Sequence, residues 1–449
     1  MISNTPTRIY NILRQMQQAQ GTELLKRLFW TELNYERVNA PLSRRNWPEV
    51  AYEALAEDPI VLAEHRNSDD RFEIIYCRLA SDNLLLTKER PVITQMLGEY
   101  PYRLFVFSNS AQKLWHFVNV KYDKNGRARR LFRRITIGPH ERLRTASERI
   151  ARLDTASMDR DLFGLSALAI QRAHDLAFDV EAVTQRFFEA YKQVFEELQA
   201  DLAGQTSDPI WAHDYALQLL NRTMFLYFVQ RKLWLAQDPD FLSNFWQAYR
   251  EQGGPSDTFY AKWLQVLFFE AFNNRFRATN PDRQYFPPEI HQALADAPYL
   301  NGGLFKPNDL DSKYQPHISD QRFLQMFEFF EGYNFTIRED TPLDQEVAVD
   351  PEMIGKVYES LVNVSEEADE RGEAGIFYTP RTEIDLMCRL SLVDWLSNRL
   401  DGDLKPLLYN TVFAFDEAEK RAADEALRTH NLWPTLREVL SDIQVVDPA

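Results

Sequence analysis

Residues 104–137 read LFVFSNSAQKLWHFVNVKYDKNGRARRLFRRITI. Three runs in this stretch, Leu104–Phe107, Leu114–Val120 and Leu131–Ile137, are rich in aromatic and β-branched residues, and Asn109 and Lys124-Asn125-Gly126 punctuate them. Such runs, separated by turn formers, predict β-strands. Two more lie upstream, Pro59–Ala63 and Phe72–Leu79. Consecutive strands joined by tight turns predict an antiparallel meander. Helical spacing over Ile9–Leu28 and Trp47–Ala56 predicts helices packed on one of its faces. Residues 1–155 are therefore expected to form a mixed α/β domain.

Downstream the period changes. After Asp179, apolar residues fall at 180, 183, 187, 188, 191, 194, 195, 198 and 202, the pattern of one long amphipathic helix with an aspartate cap. Asp208-Pro209 opens a second helix, with proline where the first helical N–H needs no partner. Tyr260–Phe272 and Pro351–Val364 predict two more, so residues 156–365 read as a helical connector domain. The acidic stretch 366–373 reads as a surface loop. In residues 366–449 a helix over Arg381–Arg399 and two further helical patterns precede a short β-type run, Ile443–Val446. That order is how a doubly wound α/β domain opens. The fold class expected for the whole chain is thus multidomain α+β.

The chain has 449 residues, 45% of them hydrophobic, which is too long for one core and too apolar for disorder. Its two cysteines, Cys77 and Cys388, lie far apart without a ligand-spaced neighbour. This argues against a disulfide framework or zinc ribbon and suits a reducing cytoplasm. No run approaches the roughly 20 apolar residues of a membrane span, so no membrane partner is expected. The net charge of −16 argues against nucleic acid, but the charge is uneven. Between Lys121 and Arg149 ten Lys/Arg face three acids. Arg127, Arg129, Arg130, Arg133 and Arg134 are the candidate DNA-contacting residues there. A solvated, charge-protected hairpin edge would read the same way.

Two fragments carry a family resemblance. Asp447-Pro448-Ala449, after a β-type run, resembles the first half of motif I of adenine DNA methyltransferases, which continues Cys-Gly-Ser-Gly. Phe377-Tyr378-Thr379-Pro380, some 70 residues earlier, resembles motif X of the same enzymes, in the family's order. Residues 178–191, 221–232, 299–305 and 354–361 resemble the helical portion of type IIG restriction–modification methyltransferases and of related phage-defence methyltransferases. The resemblance implies a Rossmann-like methyltransferase domain beginning near residue 366, with S-adenosylmethionine as cofactor and double-stranded DNA as partner. Other restriction or phage-defence subunits are further partners it suggests. Phe377, Tyr378, Thr379 and Pro380 would lie against the cofactor's methionine end, and Asp447, Pro448 and Ala449 would start the loop beneath it. An Asn/Asp-Pro-Pro-Tyr/Phe motif, which in this family holds the flipped adenine, does not occur in the chain. The chain is therefore expected to be an N-terminal portion, inactive alone.

Many type IIG enzymes begin with a PD-(D/E)xK nuclease, which needs acids and a lysine around a divalent metal. Glu73-Ile74-Ile75 has the acid without the lysine, and Asn119-Val120-Lys121 has the lysine without the acid. The N-terminal domain is accordingly expected to be a degenerate nuclease or an unrelated DNA-contacting module. No metal site is expected. The competing functional class is a non-catalytic DNA-binding scaffold of a phage-defence complex.

Overall fold

The computed structural model describes residues 5–68, 70–123, 129–300, 303–336, 344–349, 355, 381–400, 402–414 and 417–445. They belong to two compact units, Met1–Tyr358 and Glu359–Ala449. The expected helix Pro351–Val364, the loop at 366–373 and both cofactor motifs lie outside the described residues, Gly355 apart. No helix among them is long and apolar enough to cross a membrane.

The first unit is built on a seven-stranded sheet whose strands follow sequence order. They are β1 (Glu36–Pro41), β2 (Ile60–Asn67), β3 (Asp70–Arg78), β4 (Arg103–Ser108), β5 (Trp115–Asp123), β6 (Arg129–Ile137) and β7 (Asp344–Glu346). The expected meander is only partly right. β1–β2–β3 and β4–β5–β6 are antiparallel, but β3 pairs with β4 in parallel, and so does β6 with β7. A parallel neighbour needs a crossover. Helix α4 (Leu86–Glu99) supplies it between β3 and β4, after α1 (Thr5–Gln18), α2 (Glu23–Arg27) and α3 (Glu49–Ala54).

Helices cover both faces of the sheet rather than one. Ile74, Leu104, Val106, Phe117 and Ile135 point into a core shared with α1, α5 (Leu143–Ile150) and α6 (Ala167–Ala177). Their alternate neighbours Ile75, Phe105, Phe107, Val118 and Val120 pack against α3 and α4. Covered twice, β4 is buried at every position, which is why it reads as a continuous apolar run.

The helical region follows: α7 (Val180–Thr206), α8 (Pro209–Arg231), α9 (Phe241–Glu251), α10 (Gln265–Phe269), α11 (Pro288–Ala295), α12 (Asp309–Lys313) and α13 (Asp320–Phe330). Asp179 caps α7 by accepting from the Glu181 N–H, and Asp208 caps α8 by accepting from Trp211. Helix α8 is buried on nearly every side, as expected of a helix that is apolar all round. The chain then returns to the sheet as β7, so sheet and helices share one unit.

The second unit consists, among its described residues, of α14 (Arg381–Ser397), α15 (Lys405–Val412), α16 (Glu417–Thr429) and α17 (Trp433–Ser441) around Val393, Leu396, Leu408, Leu427 and Leu436. The strand expected at Ile443–Val446 does not form over Ile443–Val445, and Val446 lies outside the described residues. A β-prone run gains its hydrogen bonds only from a neighbouring strand, and none is described in this unit.

Candidate functional site

The basic segment singled out in the sequence is the β5–β6 hairpin. Strand alternation sends neighbouring residues to opposite faces. Arg133, opposite Asn119, and Arg134, opposite Val118, therefore part company. Arg134 is 1% exposed, and its Nη2 lies 3.8 Å from Glu346 Oε2 at the end of β7. Val347 N–H donates to the Arg134 carbonyl. Arg134 thus fastens β7 to the sheet, and its expected role as a DNA-contacting surface residue is corrected. Arg133 is half-buried, with Nη1 donating to the Phe132 carbonyl at 3.1 Å. Arg130 is half-buried opposite Tyr122, and Arg129 stands opposite Asp123. Arg127 lies outside the described residues. Among the described side chains, Arg130, Arg133 and the exposed Lys121 are the hairpin's cations outside the core.

The two fragments of a nuclease pattern are both committed to structure. Glu73 is buried in ion pairs with Arg103 (2.6 Å) and Arg71 (2.9 Å). Asn119, fully buried, accepts from Gln171 Nε2 at 3.0 Å and donates to Asp175 Oδ1 at 2.8 Å, both on α6. On the α4 side Glu89 is paired with His116 at 2.8 Å, each 1% exposed. Among the described residues no three His, Cys, Asp or Glu gather as a metal site.

A feature that sequence reasoning missed lies between α1, the β6–α5 connection and α13. There a cleft of about 800 Å³ is lined by Tyr10, Arg14, His140, Arg144 and Glu331, among others. Its wall is an ion network joining sheet to helices. Arg142 reaches Asp240 at 2.9 Å and Glu331 at 2.6 Å, while Arg231 holds Glu141 at 2.8 Å. Burial raises the Glu331 carboxyl above its ordinary range, with Asp240 adding to the rise and Arg142 opposing it. These residues come from three distant segments, so no local pattern announces them. The mixture of arginines and acids suits a polar ligand.

The seven cofactor candidates Phe377, Tyr378, Thr379, Pro380, Asp447, Pro448 and Ala449 lie outside the described residues.

Against known proteins, the chain is 27% identical over 238 residues to a Methanocaldococcus jannaschii protein provisionally named a type II restriction enzyme and methyltransferase. The similarity covers 52% of this chain and 19% of that relative, so the chain spans under a fifth of its length. No family model matches the chain, and no solved structure is similar to it.

Proposed function

We propose that this chain is the N-terminal part of a site-specific DNA adenine-N6 methyltransferase of a restriction–modification or phage-defence system, one that uses S-adenosylmethionine. The observation that carries the reading is the similarity over 238 residues to a protein named for restriction and methylation. The ordered motif fragments at 377–380 and 447–449 also support it. Their resemblance is what supports this cofactor and an adenine target, which the relative's name does not mention.

The division of labour proposed for the chain has three parts: residues 1–155 contact DNA, 156–365 connect, and 366–449 begin the methyltransferase domain. The cationic side chains of the hairpin would neutralise backbone phosphates, which fixes register on the duplex without reading sequence. Such positioning matters because the target adenine must leave the base stack at a cost of a few kcal/mol. A metal-dependent nuclease centred on Glu73 is disfavoured, because its carboxylate is held by two arginines.

The test is to express the full-length gene that this chain would begin in a host without adenine methylation, beside the 449-residue chain alone as the inactive control, and to sequence the host DNA for N6-methyladenine. Methylation at one recurring site is expected from the full-length gene. Unmethylated DNA from cells that contain the full-length protein would sink the reading.

A further inference from the structure

Where α5 and α7 meet, a guanidinium lies buried without an acceptor. Arg149 is 1% exposed, and neither of its Nη atoms has a hydrogen-bond partner. The other large buried arginines of the first unit face carboxylates: Arg103 faces Glu73, Arg222 faces Asp311 and Arg134 faces Glu346. Arg149 has Arg152 and Arg186 near it instead. Burial, then repulsion from these two arginines, pulls its pKa down to about 10.

Two acids are close enough to attract it, but both are engaged elsewhere. Asp179 caps α7, accepting from the Glu181 N–H at 3.0 Å. Glu148 lies 3.4 Å from Arg144 Nε and 3.6 Å from Arg186 Nη1. Arg149, Arg152 and Arg186 thus face Asp179 and Glu148, both already engaged, which leaves Arg149 without a carboxylate of its own. Leaving a buried charged donor unmade costs upward of about 1–3 kcal/mol, and native proteins meet such groups with a partner, a water or an ion. This corner has the cations of an anion site and lacks the anion's share of acceptors.

We propose that the exposed Arg152 and Arg186 form a phosphate-binding site above the buried Arg149, whose uncompensated charge favours an anion there. A phosphate offers more acceptor oxygens than a carboxylate and matches the planar fork of a guanidinium. Its source is either a free phosphate group or the backbone of a nucleic acid. The site does not depend on the methyltransferase reading.

The experiment pairs thermal melts in inorganic phosphate, at constant ionic strength with chloride, with titration of a short DNA duplex. The wild-type chain is expected to gain Tm saturably with phosphate. Arg149→Met removes an uncompensated buried charge, so it should fold at least as stably and lose part of the phosphate-dependent gain. Arg152→Gln with Arg186→Gln, both on the surface, tests the same site without touching the interior and should lose most of the gain. If the backbone is the source, this pair also weakens duplex binding about tenfold and lowers the salt slope by about two. A phosphate gain with unchanged duplex binding assigns the site to free phosphate. The proposal is overturned if phosphate gives no gain beyond chloride and the surface pair binds the duplex like the wild type.

Discussion

His174 shows how burial fixes the state of a single side chain. It is fully buried on α6, with Nε2 2.8 Å from the Tyr35 hydroxyl, and burial lowers its pKa to about 3. The unfolded chain takes up that proton near pH 6.5. Between those values the unfolded state binds the extra proton, so stability is complete above about pH 6.5 and falls by about 1.4 kcal/mol for each unit below it. His174→Gln keeps an acceptor for Tyr35 and removes the titration. Urea melts at pH 7 and pH 5 should show the variant losing about 2 kcal/mol less than the wild type over that interval. Arg134 is a second residue whose role is set by its surroundings. Arg134→Met should destabilise the first unit by about 3 kcal/mol, because the buried Glu346 loses its ion pair with Arg134. Its DNA affinity, measured on the folded variant, should match the wild type. A selective loss of DNA binding at unchanged stability would return Arg134 to the interface.

At the scale of elements, legibility followed locality. The caps at Asp179 and Asp208 were readable because a side chain two or three residues from the N–H it accepts is a local fact. Strands β2 to β6 were readable because aromatic and β-branched residues cluster in them between turn formers. Helix α4 was not, although Val92, Ile93, Met96 and Leu97 keep helical spacing. Pro91 interrupts its ladder and masks the pattern. Without that crossover, the parallel β3–β4 pairing could not be foreseen. β7 brings three residues to the sheet from about 200 positions downstream, a pairing no window of sequence contains. The candidate site divides the same way: the hairpin's basic character was visible, but which arginines stay outside depends on the ladder's phase. Helix α8 supplies the prediction at this scale. Arg222 pairs with Asp311 of α12 at 2.7 Å and donates to the Leu304 carbonyl at 2.6 Å, so one side chain ties α8 to the segment after residue 303. Arg222→Met should cost about 3 kcal/mol by leaving the Asp311 carboxylate without its cation, with only Gln218 and the Asn308 N–H still donating to it. Amide exchange should rise first in 304–313. Uniform loosening of the whole unit would instead make the pair incidental.

For the molecule as a whole, the two compact units carry separate cores. The first is held by the two layers on its sheet and by the helical region; the second, among its described residues, packs four helices around Val393 and five leucines. Stability differences of a few kcal/mol are a large fraction of a domain's total, so one buried side chain here can be probed by itself. Leu427, on α16, is 1% exposed and packs with Val393, Leu396 and Leu408. Truncating it removes apolar contact and leaves a cavity, at a cost of about 3 kcal/mol. If the cores are energetically separate, that loss stays within the second unit. Hydrogen exchange on Leu427→Ala should therefore accelerate amides across 381–441, while those of β3, β4 and β5 exchange at wild-type rates. Equal acceleration in the sheet would show that the units unfold together, and that the division at Tyr358 is geometric rather than thermodynamic.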